Sequence, residues 1–289
     1  MRIPEMYERQ EPTISFEFFP PKDDEAEQAL FRDTVPGLKR LSPAFISVTY
    51  HASGGSRKRT FRIVDRLRKQ YGIEAMAHLT CVGVTRADCG AILDEAEALG
   101  MENILALRGD PPKDQPEFRP TEGGFRYASD LIRFVKGRGC FSVGAAGYPE
   151  GHLECPDKLL DWDRSALKIE AGAEYLITQL FYDVEDFLAY EDYLRNKRHV
   201  KAPIIPGIMP FLSTGQIKRI TGLCGSKLPE GVQRRMETLG DDESVRKLGV
   251  EVCTELCRRL LDHGVPGIHF YCLNRVTSCA EVIATLGLA

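Results

Sequence analysis

A glutamate interrupts an apolar run near the start of the chain, Glu17 in TISFEFFPPK at residues 13–22. Side chains alternate faces along a strand, so Thr13, Ser15, Glu17 and Phe19 share one face and Ile14, Phe16 and Phe18 the other. If the apolar face packs on helices, Glu17 points inward, where an ionised carboxylate is costly unless it is protonated or paired. Two readings stand side by side. One is a general acid whose pKa burial lifts toward neutrality; the other is a glutamate paired with an inward Arg or Lys.

Further polar residues stand at the ends of other β-rich runs. Thr49 and Tyr50 close FISVTY, His78 and Thr80 lie in EAMAHLT, and Arg108, Gly109 and Asp110 open RGDPP. Tyr148 and His152 lie in GYPEGH, Gln179 ends YLITQL, and Asn274 and Arg275 follow GIHFYC. Each has a bland alternative: a Gly-Asp-Pro turn, a satisfied histidine, an amide bonded to backbone, a surface ion pair. Asp161, Arg164, Leu167 and Lys168 are spaced to share one helix face. Read alone, that face is an ordinary solvated one with ion pairs. HASGGS at 51–56 is glycine-rich but lacks the GK[ST] of a phosphate loop, and no GxGxxG occurs.

These residues need elements to hold them. Strands are expected at 13–19, 45–50, 74–80, 103–108, 141–147, 175–180, 203–208 and 267–272, with helical patterns between them. Pro36 falls inside the first helical pattern, where it would break it. Thr85 is placed to cap the third. The least regular stretch, 213–245, predicts one or more extra helices before the last strand. Eight strands, each followed by a helix, predict an α/β fold: a parallel (β/α)8 TIM barrel formed by one domain over 1–289. In such barrels chemistry gathers at the C-terminal ends of the strands, where the polar residues above fall.

Composition narrows the classes of function. The net charge is −4, which gives no basic footprint for nucleic acid. No apolar run approaches the ~18 residues of a membrane span, and the N-terminal MRIPEMYERQEPT has no apolar signal centre. Nine scattered cysteines without a secretory signal point to reduced thiols in the cytoplasm. They form no CxxC pair or zinc-finger spacing, so no metal is expected.

Taken in order, FEFFPPK (16–22), SVTYHASGGS (47–56), AHLTC (77–81), ALRGDPP (106–112), YASDL (127–131), AAGYPEGH (145–152), ITQLFYD (177–183), IIPGIMP (204–210) and HFYCLNR (269–275) resemble the bacterial methylenetetrahydrofolate reductases over nearly the whole chain. The resemblance implies an FAD-containing barrel that reduces 5,10-methylenetetrahydrofolate to 5-methyltetrahydrofolate with NADH or NADPH. The length matches the catalytic domain alone. It implies Glu17 as general acid and Asp110 as a catalytic group near both flavin and pterin. Thr49, Tyr50, Ala52, His78, Arg108, Gly109, Asp110, Tyr127, Ala128, Tyr148, His152, Asp161, Arg164 and Lys168 match cofactor positions. Glu17, Asp110, Gln179 and Arg275 match folate positions, Arg275 toward the glutamate tail. Where the family carries a stacking aromatic this chain has Thr214; Phe211 is expected to supply the ring from a shifted loop, or Leu212 an apolar contact. A cytoplasmic homo-oligomer is implied, with room for a partner redox subunit. Two rivals are a proline dehydrogenase-like FAD barrel and a non-catalytic barrel subunit of a redox complex.

Overall fold

The alternation read in the first strand continues around a closed cylinder. The computed structural model describes residues 1–50, 54–111 and 118–288, the side chains of 54–56 excepted. Its strands are β1 Thr13–Phe18, β2 Phe45–Val48, β3 Ala75–Thr80, β4 Asn103–Leu107, β5 Ser142–Gly147, β6 Tyr175–Leu180, β7 Ile204–Ile208 and β8 Gly267–Tyr271. All pair in parallel and in sequence order, and β8 returns to β1 to close the barrel. The eight expected strands are these eight, each trimmed by at most two residues at an end.

The helices are α1 Ile3–Met6, α2 Asp24–Ala29, α3 Val35–Lys39, α4 Gly54–Tyr71, α5 Arg86–Ala98, α6 Ala128–Lys136, α7 Lys158–Glu170, α8 Val184–Asp192, α9 Thr214–Cys224, α10 Glu230–Glu237, α11 Asp242–His263 and α12 Thr277–Leu286. Thr85 caps α5 in a reciprocal box with Asp88. Pro36 does not break its helix as expected. A π-helical turn, Leu30–Thr34, joins α2 to α3, and Val35 N–H bonds Leu30 O. The wider turn absorbs the position where proline supplies no N–H. The irregular stretch before β8 holds α9 and α10 ahead of the long α11, as the expected extra helices.

Two apolar layers follow from strand parity. Ile14, Phe16 and Phe18 belong to the large outer cluster between strands and helices, with the Phe16 and Phe270 rings stacked at 5.9 Å. Inside the barrel, Phe45, Met76, Leu105, Tyr175, Ile177 and Ile205 form a second cluster. Ile3, Met6 and Tyr7 of the α1 segment close it from the N-terminal end, held by the Ile3 N–H bond to Asn103 Oδ1 at 2.9 Å. One end of the barrel is therefore plugged with apolar side chains, and polar groups are left to the other.

Gly249 lets α11 lie directly on the backbone after β7. A Cβ there would overlap the carbonyl oxygen of Phe211 and crowd its ring. Neither neighbour is a flexible side-chain end, so relief requires moving helix or loop. Gly249→Ala is expected to lower unfolding free energy by about 1–3 kcal/mol, read as a reduced denaturation midpoint; a midpoint equal to wild type would contradict this packing.

Candidate active site

Glu17 lies on the interior side of β1, 7% exposed, one residue from the strand's C-terminal end. Its ladder partners are Ser47 on β2 and Tyr271 on β8. Ser47 Oγ donates to Glu17 Oε2 at 3.2 Å. Two imidazoles approach the same oxygen: His78 Nε2 at 3.3 Å and His269 Nε2 at 3.5 Å. His78 Nε2 does not meet the geometry of a hydrogen bond to the carboxylate.

The expectation of a carboxyl lifted toward neutrality needs correction. Burial does push the Glu17 carboxyl up, but protonated His78 and His269 pull it down further, to about 2. Among the described residues no Arg or Lys pairs with it; Ser47, His78 and His269 stand around it instead.

The neighbouring strand ends carry hydroxyls with nothing to bond. Thr49 Oγ1 and Thr80 Oγ1 are buried and lack a partner among the described residues, as does Asp161 Oδ2 on α7. Native proteins rarely leave such atoms unpaired, which makes these three candidates for contact with a polar ligand. Tyr50 is buried beside Thr49. Gly109 has φ +82, and a Cβ would sit 2.9 Å from Thr80 Cβ, so glycine is required both for conformation and for space. Asp110 follows it, exposed.

Arg108 is held by Glu154 in a two-pronged pair, 2.5 and 2.7 Å, which raises the guanidinium's pKa and ties the β4 and β5 loops together. Tyr148 and His152 meet edge-to-face at 4.8 Å. Burial and then the Arg108 charge push the His152 imidazole down. Lys168 is half-buried and donates from Nζ to Ala146 O at 2.8 Å. Burial lowers this ammonium to about 8, against the pull of Asp161. Tyr127 presents an exposed ring at the start of α6, followed by buried Ala128. Arg164 and Leu167 are exposed on the same α7 face. Ala52 lies outside the described residues.

Across the mouth, Gln179 is half-buried and its Oε1 accepts from Leu180 N–H at 2.9 Å. Phe211 does not supply a stacking ring. It is 0% exposed, set edge-on to Tyr182 at 5.9 Å and pressed by α11. Leu212, half-buried, lines instead a cavity of about 490 Å³ with Pro210, Tyr271, Leu273, Arg246 and exposed Arg275.

A family model described as "Methylenetetrahydrofolate reductase" matches residues 2–287. The chain belongs to this family. It is 35% identical to the 5,10-methylenetetrahydrofolate reductase of Salmonella typhimurium, over 95% of this chain and 90% of that one. It is 39% identical to methylenetetrahydrofolate reductase 1 of Schizosaccharomyces pombe and 34% to methylenetetrahydrofolate reductase (NADH) 1 of Arabidopsis thaliana, covering 96% and 99% of this chain. The chain spans about half the length of these two longer relatives, 46% and 50%. Among solved structures, a Clostridium thermocellum protein described as binding two copies of 5-methyl-5,6,7,8-tetrahydrofolic acid aligns with TM-score 0.62 at 18% identity, covering 97% of this chain and 96% of that one. A Xanthomonas albilineans dihydropteroate synthase gives 0.52 at 13%, covering 96% and 93%. At such identities the likeness is one of fold.

Within this methylenetetrahydrofolate reductase family member, three residues of the candidate site escaped sequence reasoning: Ser47, His269 and Glu154. His269 could have been found by applying the same parity to GIHFY, but register decides that it meets Glu17.

The loop after β5 carries one more titrating group. Burial and nearby Asp186 raise the Glu150 carboxyl from its ordinary 4.5 to about 7, opposed by the N–H of Lys227 that it accepts at 3.0 Å. A raised carboxyl pKa means the folded chain binds this proton more tightly than the unfolded one. The stability it contributes is fully present below about 4.5 and is lost as pH rises through about 7. Glu150→Gln keeps an oxygen for Lys227 and removes the titration. Its melting temperature should exceed wild type at neutral pH, with the gap closing in acid; a pH-independent gap would refute the assignment.

Proposed function

We propose that the protein reduces 5,10-methylenetetrahydrofolate to 5-methyltetrahydrofolate at the C-terminal mouth of its barrel, using FAD and a reduced nicotinamide, NADH or NADPH. The observation that carries this reading is Glu17, a buried carboxylate facing two imidazoles beside a rim of unpaired hydroxyls. The donor is left as either nicotinamide because relatives carry both names: the Arabidopsis protein NADH, a Caenorhabditis elegans relative NADPH.

The rim residues fit a flavin nucleotide. Thr49 and Thr80 hydroxyls suit the polar edge of a ring system, and orphaned Asp161 Oδ2 suits a hydroxyl donor. Lys168 and Arg108 supply cationic groups for a diphosphate. Tyr127 and Tyr148 supply aromatic surface, and His78 stands between this rim and Glu17. When bound, FAD carries the hydride from nicotinamide to folate in two half-reactions.

The chain's own part is proton delivery and orientation. The substrate's imidazolidine ring carries its methylene between N5 and N10, and protonating N10 opens the ring to an iminium able to accept hydride. Glu17 gives that proton. Asp110 opposes the cationic iminium with a carboxylate and accepts hydrogen bonds from the pterin. Gln179 turns amide groups to the pterin, Leu212 gives apolar contact, and Arg275 at the cavity rim pairs with the glutamate tail.

A visible spectrum, anaerobic bleaching by NADH or NADPH and recovery with methylenetetrahydrofolate tests the cycle directly; a colourless protein that takes up no FAD would refute it. Glu17→Gln should retain nicotinamide-driven bleaching and slow folate-driven recovery by ~10²–10⁴-fold. Normal folate turnover in this variant would remove Glu17 from the acid role.

A further inference from the structure

The turn after β8 holds two left-handed residues in succession, Leu273 at φ 50 and Asn274 at φ 58. Across them the Arg275 N–H bonds Cys272 O at 2.8 Å. Positive φ at both central residues is the pattern of a type I′ turn, which glycine, asparagine and aspartate favour. Leucine does not favour it, so this turn is strained at Leu273. Arg275 leaves the turn exposed, and with Leu273 it lines the cavity of about 490 Å³.

The turn is tied to the acid strand at two points. At its start, Tyr271 pairs with Glu17 in the ladder, and Cys272 Sγ donates to Glu17 O at 3.1 Å. The ladder ends there. Two residues on, a side chain takes its place. The Phe19 N–H donates to Asn274 Oδ1 at 3.0 Å, and Asn274 Nδ2 donates to Phe19 O at 2.8 Å. From the π-helical turn, Thr34 Oγ1 donates to Asn274 O at 3.1 Å. A primary amide offers what a peptide group offers, one acceptor and a donor. Aspartate lacks the donor, serine has a single atom for both tasks, and glycine has neither. Asparagine combines the pair with tolerance of left-handed backbone.

We propose that Asn274 is a positioning residue for folate binding: its clamp on Phe19 holds the strained turn so that Arg275 meets the glutamate tail at a fixed distance from Glu17. The inference rests on the reading of Arg275 as the tail contact and of Glu17 as the acid. The tail and N10 belong to one molecule, so the groups that meet them must be registered to each other. Arg275 is exposed, and a turn free to relax toward ordinary φ would spread its guanidinium over many positions. Only the fraction of the protein with the arm in place would then bind the tail, and affinity falls by that fraction. Both clamp bonds lie at the surface, where water competes for the same groups. The loss on removing them is therefore a few-fold and not complete.

The experiment measures binding of 5-methyltetrahydrofolate to the FAD-loaded protein in wild type, Asn274→Gly, Arg275→Ala and the double variant. Glycine accepts left-handed backbone and removes only the carboxamide. Asn274→Gly should weaken binding by ~5-fold, and Arg275→Ala by ~10-fold or more. The double variant should bind no more weakly than Arg275→Ala alone, because a clamp that acts through Arg275 then has nothing to position. In steady state the loss in Asn274→Gly should fall on the KM for folate more than on kcat. Thr34→Val should act in the same direction by less, and carries the cycle if Asn274→Gly does not fold. Wild-type affinity in Asn274→Gly overturns the proposal. So do losses that multiply in the double variant, since a clamp serving stability alone is independent of Arg275. If Arg275→Ala binds the folate as wild type does while Asn274→Gly binds it weakly, it is the tail reading that falls, and the proposed target of the clamp with it.

Discussion

A carboxylate inside a closed barrel must be compensated, and the mouth of this barrel is arranged around that requirement. Removing an ionised carboxylate from water costs several kcal/mol even after the protein relaxes. One opposite charge at about 4 Å, in an effective dielectric of about 20, returns about 4 kcal/mol. These are the same size, so a single imidazolium is enough to keep Glu17 ionised, and no fixed cation is required. Arginine or lysine in that place would hold the carboxylate permanently charged. Imidazole instead leaves the proton available near neutral pH. His78 and His269, both buried on the interior of their strands, provide two such bases around one oxygen.

The rest of the fold protects this arrangement from below and from the side. The α1 segment and the inner cluster of Phe45, Met76 and Tyr175 fill the N-terminal half, so the polar layer has a dry floor. Phe45 belongs to that floor and also stacks on His269, which couples apolar packing to the orientation of a titrating ring. On the β8 side, Leu273 and Asn274 both take left-handed backbone, φ 50 and 58, a strained conformation for leucine. The Asn274 carboxamide bonds the Phe19 N–H and C=O at 3.0 and 2.8 Å. It extends the β1–β8 contact past the last strand residue and fixes the loop bearing Arg275.

Most of this architecture was legible in the residues because parallel strands buried on both faces leave strong marks: short β-branched and aromatic runs at regular spacing, with polar residues confined to one end. Parity alone put Glu17 inside and its phenylalanines outside. What could not be read were facts of register and of tertiary packing. Nothing local says that the carboxylate meets His78 and His269, because those three residues come from β1, β3 and β8 and meet only after closure. The direction of the Glu17 shift was missed for that reason: burial is visible from sequence, and a partner across the barrel is not. Phe211 failed in the opposite sense. Its aromatic character suggested a ligand contact, but Gly249 on α11 brings a helix against it and turns it into core. Pro36 looked like a break, and the π-helical turn that accommodates it depends on packing that proline alone does not specify.

The two halves of the site also differ in what holds them. Glu17, His78 and His269 project from strands whose neighbours are bonded on both sides, so their mutual distances are set by the barrel itself. Arg108, Gly109, Tyr148 and His152 stand on loops, and the tie between the β4 and β5 loops is an ion pair, Arg108 with Glu154. Proton transfer is intolerant of small errors in distance, whereas a large ligand can be gripped by groups that adjust. The close contacts around Glu17 rest on the rigid ladder, and the Arg108 pair rests on side chains of two loops. Arg108 and Glu154 thus depend on a pair whose side chains are 23% and 46% exposed, whereas the Glu17 cluster depends on the ladder itself.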